Sequence, residues 1–509
     1  MKKVLRAFAF FACLFLLAGP ALGWEGRMAG MGNPTGLIAD ESDFLVHPAT
    51  LADGTGADFY ASYGLTYTDI QKADWKNEWK VPSPYHFSYS PDGDQWEHQA
   101  SLGTAFTLPK GRMAIFLEYV NKQGNLEGND QFFNSQVFPD DNTQDDYEID
   151  NDLRNLSLRL LYAVPVSPRV KLGGEVELAY RSEENRIDGN YPGIPYSYRN
   201  YIYSDFYSDF DPNIFQDKYL YTRPCDATYM QATFKGSVEA NAGPAEVLFT
   251  GHYGFIFASD NELKLRSSEG EPFSPTMDGD VEGYTAGADL WVRYHMRPDI
   301  TLPFVVRADY SHKEYDGDSD LSLLLTGYPY EYKDTEKAFY LEIGGGVEKK
   351  IEKGLIAAGL YYDYLSNESD FDLQLLDCRW INEPVPETKE HRLVLRAAAE
   401  KEVSPTATLR GGLEVFHGWA DMESDVRGFL GSNLYRQSAD LDGSRWGAGV
   451  SLGASFKTAA MLVEPYLNIA YQKTDLDGDG YNNIGPGFAT DNEYKRTEWS
   501  YGAGFSVKF

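Results

Sequence analysis

Carboxylates recur at every second position in the stretch Asp475-Leu476-Asp477-Gly478-Asp479-Gly480, the first half of the D-x-D-x-D-G pattern with which a loop wraps calcium. The glutamate that would close such a loop is missing, and Pro486 stands in its place. The stretch reads either as solvated charge or as a weak Ca²⁺ site in an outward loop, and no other cofactor is expected. A second unusual segment, residues 190–224, alternates aromatic rings with aspartate. Tyr201, Tyr203, Phe206 and Tyr207 offer flat apolar faces, most tipped with a hydroxyl, suited to stacking on a ligand or to holding a long loop together as a small aromatic core. The eight histidines fall in separate segments and form no Ser/His or Cys/His constellation, so no catalytic residues are assigned and an enzyme is not expected. Cys225 and Cys378 could pair in an oxidising compartment, a question the spacing leaves open.

A third set of residues owes its interest to its spacing. Arg159, Glu175, Arg293, Arg307, Glu342, Arg396, Arg410 and Glu414 all sit opposite apolar neighbours in alternating stretches. In "KLGGEVELAYR" Leu172, Val176, Leu178 and Tyr180 share one side, while Lys171, Glu175 and Glu177 share the other. In "TLRGGLEVFHGW" Leu409, Leu413, Val415 and Trp419 oppose Arg410, Gly412 and Glu414. The last eleven residues, "WSYGAGFSVKF", alternate in the same way up to the terminal Phe509. This period of two is that of a strand between two unlike environments.

A soluble sandwich alternates too, so three further features decide. The stretches run about 10–13 residues, the length a tilted strand needs to cross a bilayer. Their apolar faces end in Tyr180, Tyr294, Tyr310, Trp419, Trp446 and Tyr471, as an aromatic girdle would. Short connections such as "LPKGR" and "EKKIEKG" alternate with long acidic ones, for example 182–226 and 475–496. The reading is an all-β, transmembrane, antiparallel up-and-down barrel over 57–509, of about sixteen strands, with fourteen as the alternative count. The first strand starts at Asp58, "YHFSYS" from Tyr85 belongs to the first long loop, and the last strand is 497–509. Because lipid offers backbone groups no partners, the last strand must pair with the first.

Residues 1–23 combine Lys2, Lys3 and Arg6 with a short apolar run and small residues before Trp24, which reads as a secretory signal peptide. Composition fits a barrel: 15% aromatic residues, 48 glycines and a net charge of −32. Such an acidic chain is not expected to bind nucleic acid. The expected location is the outer membrane of a Gram-negative cell with both termini periplasmic, in contact with lipid, lipopolysaccharide and the barrel assembly machinery.

The segment "GRMAGMGNPTGLIADESDFLVHPATLADG" resembles the opening of the long-chain fatty acid transport family of outer-membrane barrels and its type IX secretion relatives. Gly30, Met31, Gly32, Ala39, Asp40, Pro48, Ala49 and Leu51 match, whereas His47 and Thr50 stand where the family usually has Asn and Gly. The resemblance implies that residues 24–56 fold inside the barrel as a hatch, with Met31, Asn33, Asp40, Phe44, His47 and Pro48 on the substrate path. It implies passive transport of a small, hydrophobic substrate. The inward charged set argues for a more polar one, since the apolar inward residues are few, such as Leu161, Trp291 and Tyr361. Those charges are either a web of ion pairs that stiffens the wall or a hydrophilic path. A scaffold barrel that docks a partner protein and a general porin are the alternative functions.

Overall fold

A computed structural model of the chain describes residues 26–79, 85–134, 143–189, 226–266, 272–319, 330–375, 378–380, 387–430, 433–482 and 488–509. The signal-peptide stretch, the aromatic segment with Tyr201, Tyr203, Phe206 and Tyr207, and Cys225 lie outside the described residues.

The strands are β1 (Ala57–Trp79), β2 (Tyr85–Leu108), β3 (Gly111–Asn134), β4 (Thr143–Ser167), β5 (Val170–Gly189) and β6 (Asp226–Ala242). They continue with β7 (Ala245–Arg266), β8 (Pro272–Arg297), β9 (Ile300–Ser319), β10 (Tyr330–Ile351), β11 (Gly354–Leu375) and β12 (Cys378–Trp380). The set ends with β13 (Glu387–Ser404), β14 (Ala407–Leu430), β15 (Asn433–Lys457), β16 (Leu462–Asn482) and β17 (Phe488–Lys508). The three-residue β12 pairs with the end of β11, while β11 pairs directly with β13. The other sixteen strands form the wall, each antiparallel to its sequence neighbours, and β17 returns to β1. At that seam Phe59 and Phe509 exchange both backbone hydrogen bonds, at 3.3 and 2.9 Å. The edge left by the last strand is thereby covered.

Alternation decides what each face meets. Leu452 and Leu467, on β15 and β16, stand 59% and 58% exposed, which fixes the outer face as the apolar one. Toward the long connections that face ends in a run of touching rings. Trp96 meets Tyr67 at 4.6 Å, Tyr67 meets Tyr501 at 6.3 Å, Tyr471 meets Trp499 at 4.8 Å, and Trp446 meets Tyr471 at 5.1 Å. Near the short turns Tyr162 and Tyr294 are exposed on the same face. An apolar belt between two aromatic rims on a closed sheet is the surface that hydrocarbon requires.

The strands are longer than the alternation indicates. The sixteen wall strands run from 17 residues in β6 to 26 in β8. "YHFSYS" is the start of β2 rather than loop. Beyond the girdle the hairpins keep pairing, but their outward residues meet water, so the hydrophobic period stops where the backbone ladder does not. On β16 the outward positions after Tyr471 are Lys473, Asp475, Asp477 and Asp479. These carboxylates therefore lie along a straight strand, and the expected calcium-loop turn at Gly480 is absent: Gly480 pairs with Ala439 and Thr490. Asp475 is instead held by Lys473 at 3.1 Å and Lys495 at 3.9 Å. Among the described residues no three His, Cys, Asp or Glu side chains gather to hold a metal.

Candidate functional site

Residues 26–56 sit inside the barrel, in the half nearest the short turns. The segment opens with a helical turn, Gly26–Ala29, followed by two 3-10 turns, Glu41–Leu45 and Pro48–Asp53. Its apolar side chains pack in two groups. Met28, Met31, Leu37 and Ile38 lie against Leu248, Trp291, Val305, Tyr361 and their neighbours. Phe44, Leu45 and Leu51 lie against Tyr60, Phe116 and Leu161, with the Phe44 and Phe116 rings stacked at 5.6 Å. Leu161, Trp291 and Tyr361, the apolar inward residues expected to line a greasy passage, are thus the wall's half of this internal core.

The hatch backbone reaches the wall where strands present inward glycines. A Cβ on Gly412 would lie 1.9 Å from the Met31 carbonyl oxygen, and one on Gly173 would lie 2.2 Å from the Ala49 nitrogen. Each glycine is a seat that only a missing side chain provides.

Polar clamps complete the docking. Asp40 caps the first 3-10 turn: Ser42 N donates to it at 2.9 Å, and Asp40 N donates back to Asp43 at 3.1 Å. Asp43 also accepts from Arg293 Nη2 at 2.7 Å, with both side chains buried. Arg159 holds Glu175 at 2.9 Å and Glu118 at 3.1 Å, and donates to the Leu45 carbonyl at 2.9 Å. Arg27 bridges Asp40 at 2.6 Å and Glu400 at 2.9 Å, and Arg410 binds Glu400 at 2.7 Å and Glu464 at 2.9 Å. Glu41 meets Lys508 at 2.7 Å, and Asp53 is paired with Lys171. His47 is fully buried behind Pro48, its Nδ1 2.7 Å from Thr250 Oγ1 and its ring edge-on to Trp291 at 4.3 Å.

Burial sets the protonation of these hatch groups. It pushes the Asp43 carboxyl up to about 6, against the opposing pull of Arg293. Burial, with the positive charges of Arg293, Arg307 and Lys235, lowers His47 to about 3, so its ring is neutral. Burial would raise Asp40 too, but Arg27 and Ser42 outweigh it and hold this carboxyl below its usual range.

On the other side of the hatch, toward the long connections, lies a cavity of about 480 Å³ floored by Leu45 and Val46. The order along β5 shows the layering: Gly173 touches the hatch, Glu177 and Arg181 line the cavity, and Glu183 lies beyond it. There Glu183 accepts from Tyr229 at 2.6 Å, from Lys313 at 3.0 Å and from Tyr315 at 3.0 Å, joining β5 and β6 to β9. The cavity walls mix hydroxyls, amides and charges, among them Gln231, Thr233, Thr285, His252 and Asp309, with apolar groups from Ala338, Phe339 and Leu365.

The sequence-derived site residues therefore divide. Met31, Phe44, His47 and Pro48 are buried in the hatch, Asp40 is its cap, and Asn33 is exposed with a left-handed φ of 52°. Arg159, Glu175, Arg293 and Arg410 clamp the hatch or support its clamps. Arg307 pairs with Asp289 at 2.5 Å on the cavity wall, and Arg396 joins Glu342 at 2.8 Å and Glu414 at 3.1 Å. Sequence reasoning did not single out Glu400, Glu464, Lys508, Ser237 and Thr250 as hatch partners, nor the Glu183–Tyr229–Lys313–Tyr315 group. Their only signal was inward parity on a strand, which they share with dozens of residues of no special role.

A family model described as the autotransporter β-domain matches residues 340–509, the stretch from β10 to the chain end. The chain is similar to a Pseudomonas aeruginosa FadL homologue at 10% identity and TM-score 0.44, over 97% of this chain and 99% of that one. It is similar to the P. putida toluene transporter TodX at 12% identity and TM-score 0.41, over 97% and 98% of the two chains. The Ralstonia pickettii toluene transporter TbuX is 12% identical with TM-score 0.36, over 97% and 99%. No curated protein matches.

Proposed function

We propose that the protein is a passive channel for a small solute in the outer membrane, with residues 26–56 as the obstruction that must shift for the solute to pass. The closed barrel and its lipid-facing belt support the location. The observation that carries the transport reading is the cavity of about 480 Å³ resting on the hatch: a solute can collect there, but Leu45 and Val46 close its floor. The hatch joins the sheet through the chain at Gly56–Ala57 and is otherwise held by apolar packing, ion pairs and single hydrogen bonds rather than by strand pairing, so it can shift without opening the wall. Its apolar core faces wall residues such as Leu161 and Trp291, and a solute would meet them only once the hatch has moved.

The test is solute flux into liposomes carrying the full chain and, separately, a chain lacking residues 26–56. Folding of both is checked by the slower or faster gel migration of boiled against unboiled samples. Slow flux through the full chain and several-fold faster flux through the shortened one is the expected result. Absence of flux from both would sink the reading.

A further inference from the structure

We propose that the cavity above the hatch binds a small zwitterion, its anionic end at Arg181 and its cationic end at Glu177. This rests on the reading of the lumen as a passage and names the class of solute that would wait there.

The argument begins with a charge inventory of the lining. Lys235 is 3.3 Å from Glu175, Arg307 is 2.5 Å from Asp289, and His252 Nε2 is 3.3 Å from Asp309. The His252 contact offsets Asp309 only when the ring is protonated. Among the described residues two charged lining side chains, one of each sign, make no such contact at all. Arg181 makes no ion pair among the described residues; its Nε is buried without a partner, and its guanidinium lies 6.0 Å from the Tyr229 ring. Among the described residues Glu177 has no hydrogen bond and no ion pair within 4.0 Å; its register neighbour Arg159 acts on it only at longer range, being held by Glu175, Glu118 and the Leu45 carbonyl. An unpaired charge facing a narrow, partly desolvated space is costly, and a ligand charge of the opposite sign removes that cost.

The placement of the two is equally specific. They lie on one face of β5, four residues apart, which is about 13 Å along a strand. Both side chains are long enough to converge on a ligand shorter than that span. Between them the neighbouring strands present Gln231, Thr233 and Thr285. Gly254 keeps this space open, since a Cβ there would lie 2.7 Å from both threonine hydroxyls and 2.9 Å from Gln231 Nε2. The volume, about 480 Å³, suits a small molecule. A purely apolar solute would strip water from both charges and replace none of it. A singly charged solute would satisfy one charge and leave the other.

The probe is 6-aminohexanoate, compared with hexanoate, hexylamine and 1-hexanol of the same chain length. Equilibrium binding to the detergent-solubilised full chain is measured by titration calorimetry, and liposome flux is measured separately. The zwitterion should bind about tenfold more tightly than either singly charged analogue, the equivalent of one good charge pair. R181Q should lower zwitterion affinity to that of hexylamine without changing hexylamine binding. E177Q should lower it to that of hexanoate without changing hexanoate binding. R181K should restore part of the affinity. This reciprocal pattern cannot come from a misfolded variant, which would lose all four ligands together. Equal binding of 6-aminohexanoate and 1-hexanol, or no binding of the zwitterion, overturns the proposal. Zwitterion binding without flux of any solute would instead refute transport and leave the site standing. Flux of all four solutes with no preference in binding would do the reverse.

Discussion

The hatch is seated by two titratable residues that respond to acid in opposite senses. Asp43 is an acid whose folded pKa, about 6, is raised from its ordinary 3.8. Its contribution to seating is full below the ordinary value and is lost as pH rises through about 6. His47 is depressed from 6.5 to about 3, so its contribution is full above 6.5 and is lost as pH falls through about 3. Between about pH 4 and 6 the two slopes, each about 1.4 kcal/mol per pH unit, oppose and largely cancel. Seating of the native hatch should therefore be nearly flat across that window. D43N removes one slope, and seating should then weaken on acidification from 6.5. H47Q removes the other, and seating should weaken as pH is raised from 4 to 6. Hydrogen exchange of a peptide covering residues 40–50 reads this directly, and superimposable pH profiles for the three proteins would refute it. Loss of the clamp itself is a separate effect. Arg293→Met removes the charge that holds Asp43 down, so the buried carboxyl takes up a proton and loses its hydrogen-bond donor, at a cost of roughly 1–3 kcal/mol, and should expose the same peptide at pH 7.

Adjacent glycines on β14 distinguish the two faces of a wall strand. Gly412 points inward, where a Cβ would strike the Met31 carbonyl; Gly411 points outward, where the nearest atom to its Cβ would be 3.8 Å away. Gly412→Val should unseat the hatch, costing about 1–3 kcal/mol as overpacking does, and make residues 26–56 sensitive to protease while the barrel stays closed. Gly411→Val should leave both unchanged. Equal protease resistance in the two variants would show that the hatch does not rest on this strand. The same pair marks how far the sequence could be read. Alternation alone put Gly412, Arg410 and Glu414 on the inner face, and the short connections fixed the parity of all sixteen wall strands. The alternation could not show where strands end, because beyond the girdle the outward residues of a hairpin meet water and the apolar period of two fades while pairing continues. It could not show what an inward residue touches either. Trp291 and Leu161 read as sparse apolar lining, yet they are half of a core whose other half lies 250 or 110 residues away in sequence, in Ile38 and Leu51. Nothing local to a strand encodes such a partner. The hatch itself was visible, as a Gly-rich, non-alternating segment, whereas the wall residues that touch it were not.

At the scale of the whole chain, one pairing converts a ribbon into a tube. Fifteen of the sixteen wall interfaces join strands that follow one another around the wall, whereas β1 and β17 are brought together across the full length of the barrel. Without that seam two edges would present unpaired amides to lipid, at several kcal/mol for each unsatisfied group. Thr68 and Ser500 are opposite each other in its register, with side-chain oxygens 3.0 Å apart. Phe59 and Phe509 form a hydrogen-bonded pair, and counting along the ladder from them makes Thr68–Ser500 a non-hydrogen-bonded one, where side chains approach most closely. The double variant T68C/S500C, made in a chain with Cys225→Ser and Cys378→Ser so that no native thiol competes, should therefore form a disulfide in the folded protein. Once oxidised, the denatured chain is a large covalent loop and should migrate differently from the reduced chain on a gel, a shift abolished by reductant and absent from either single variant. A register slip of one residue would turn one cysteine to the lipid face and the other to the lumen, and no bond would form. Failure of T68C/S500C to cross-link, with the pair shifted by two residues, T68C/G502C, cross-linking instead, would mean that the barrel closes in another register, and the hatch, whose Glu41 reaches Lys508 on the last strand, would have to be re-seated with it.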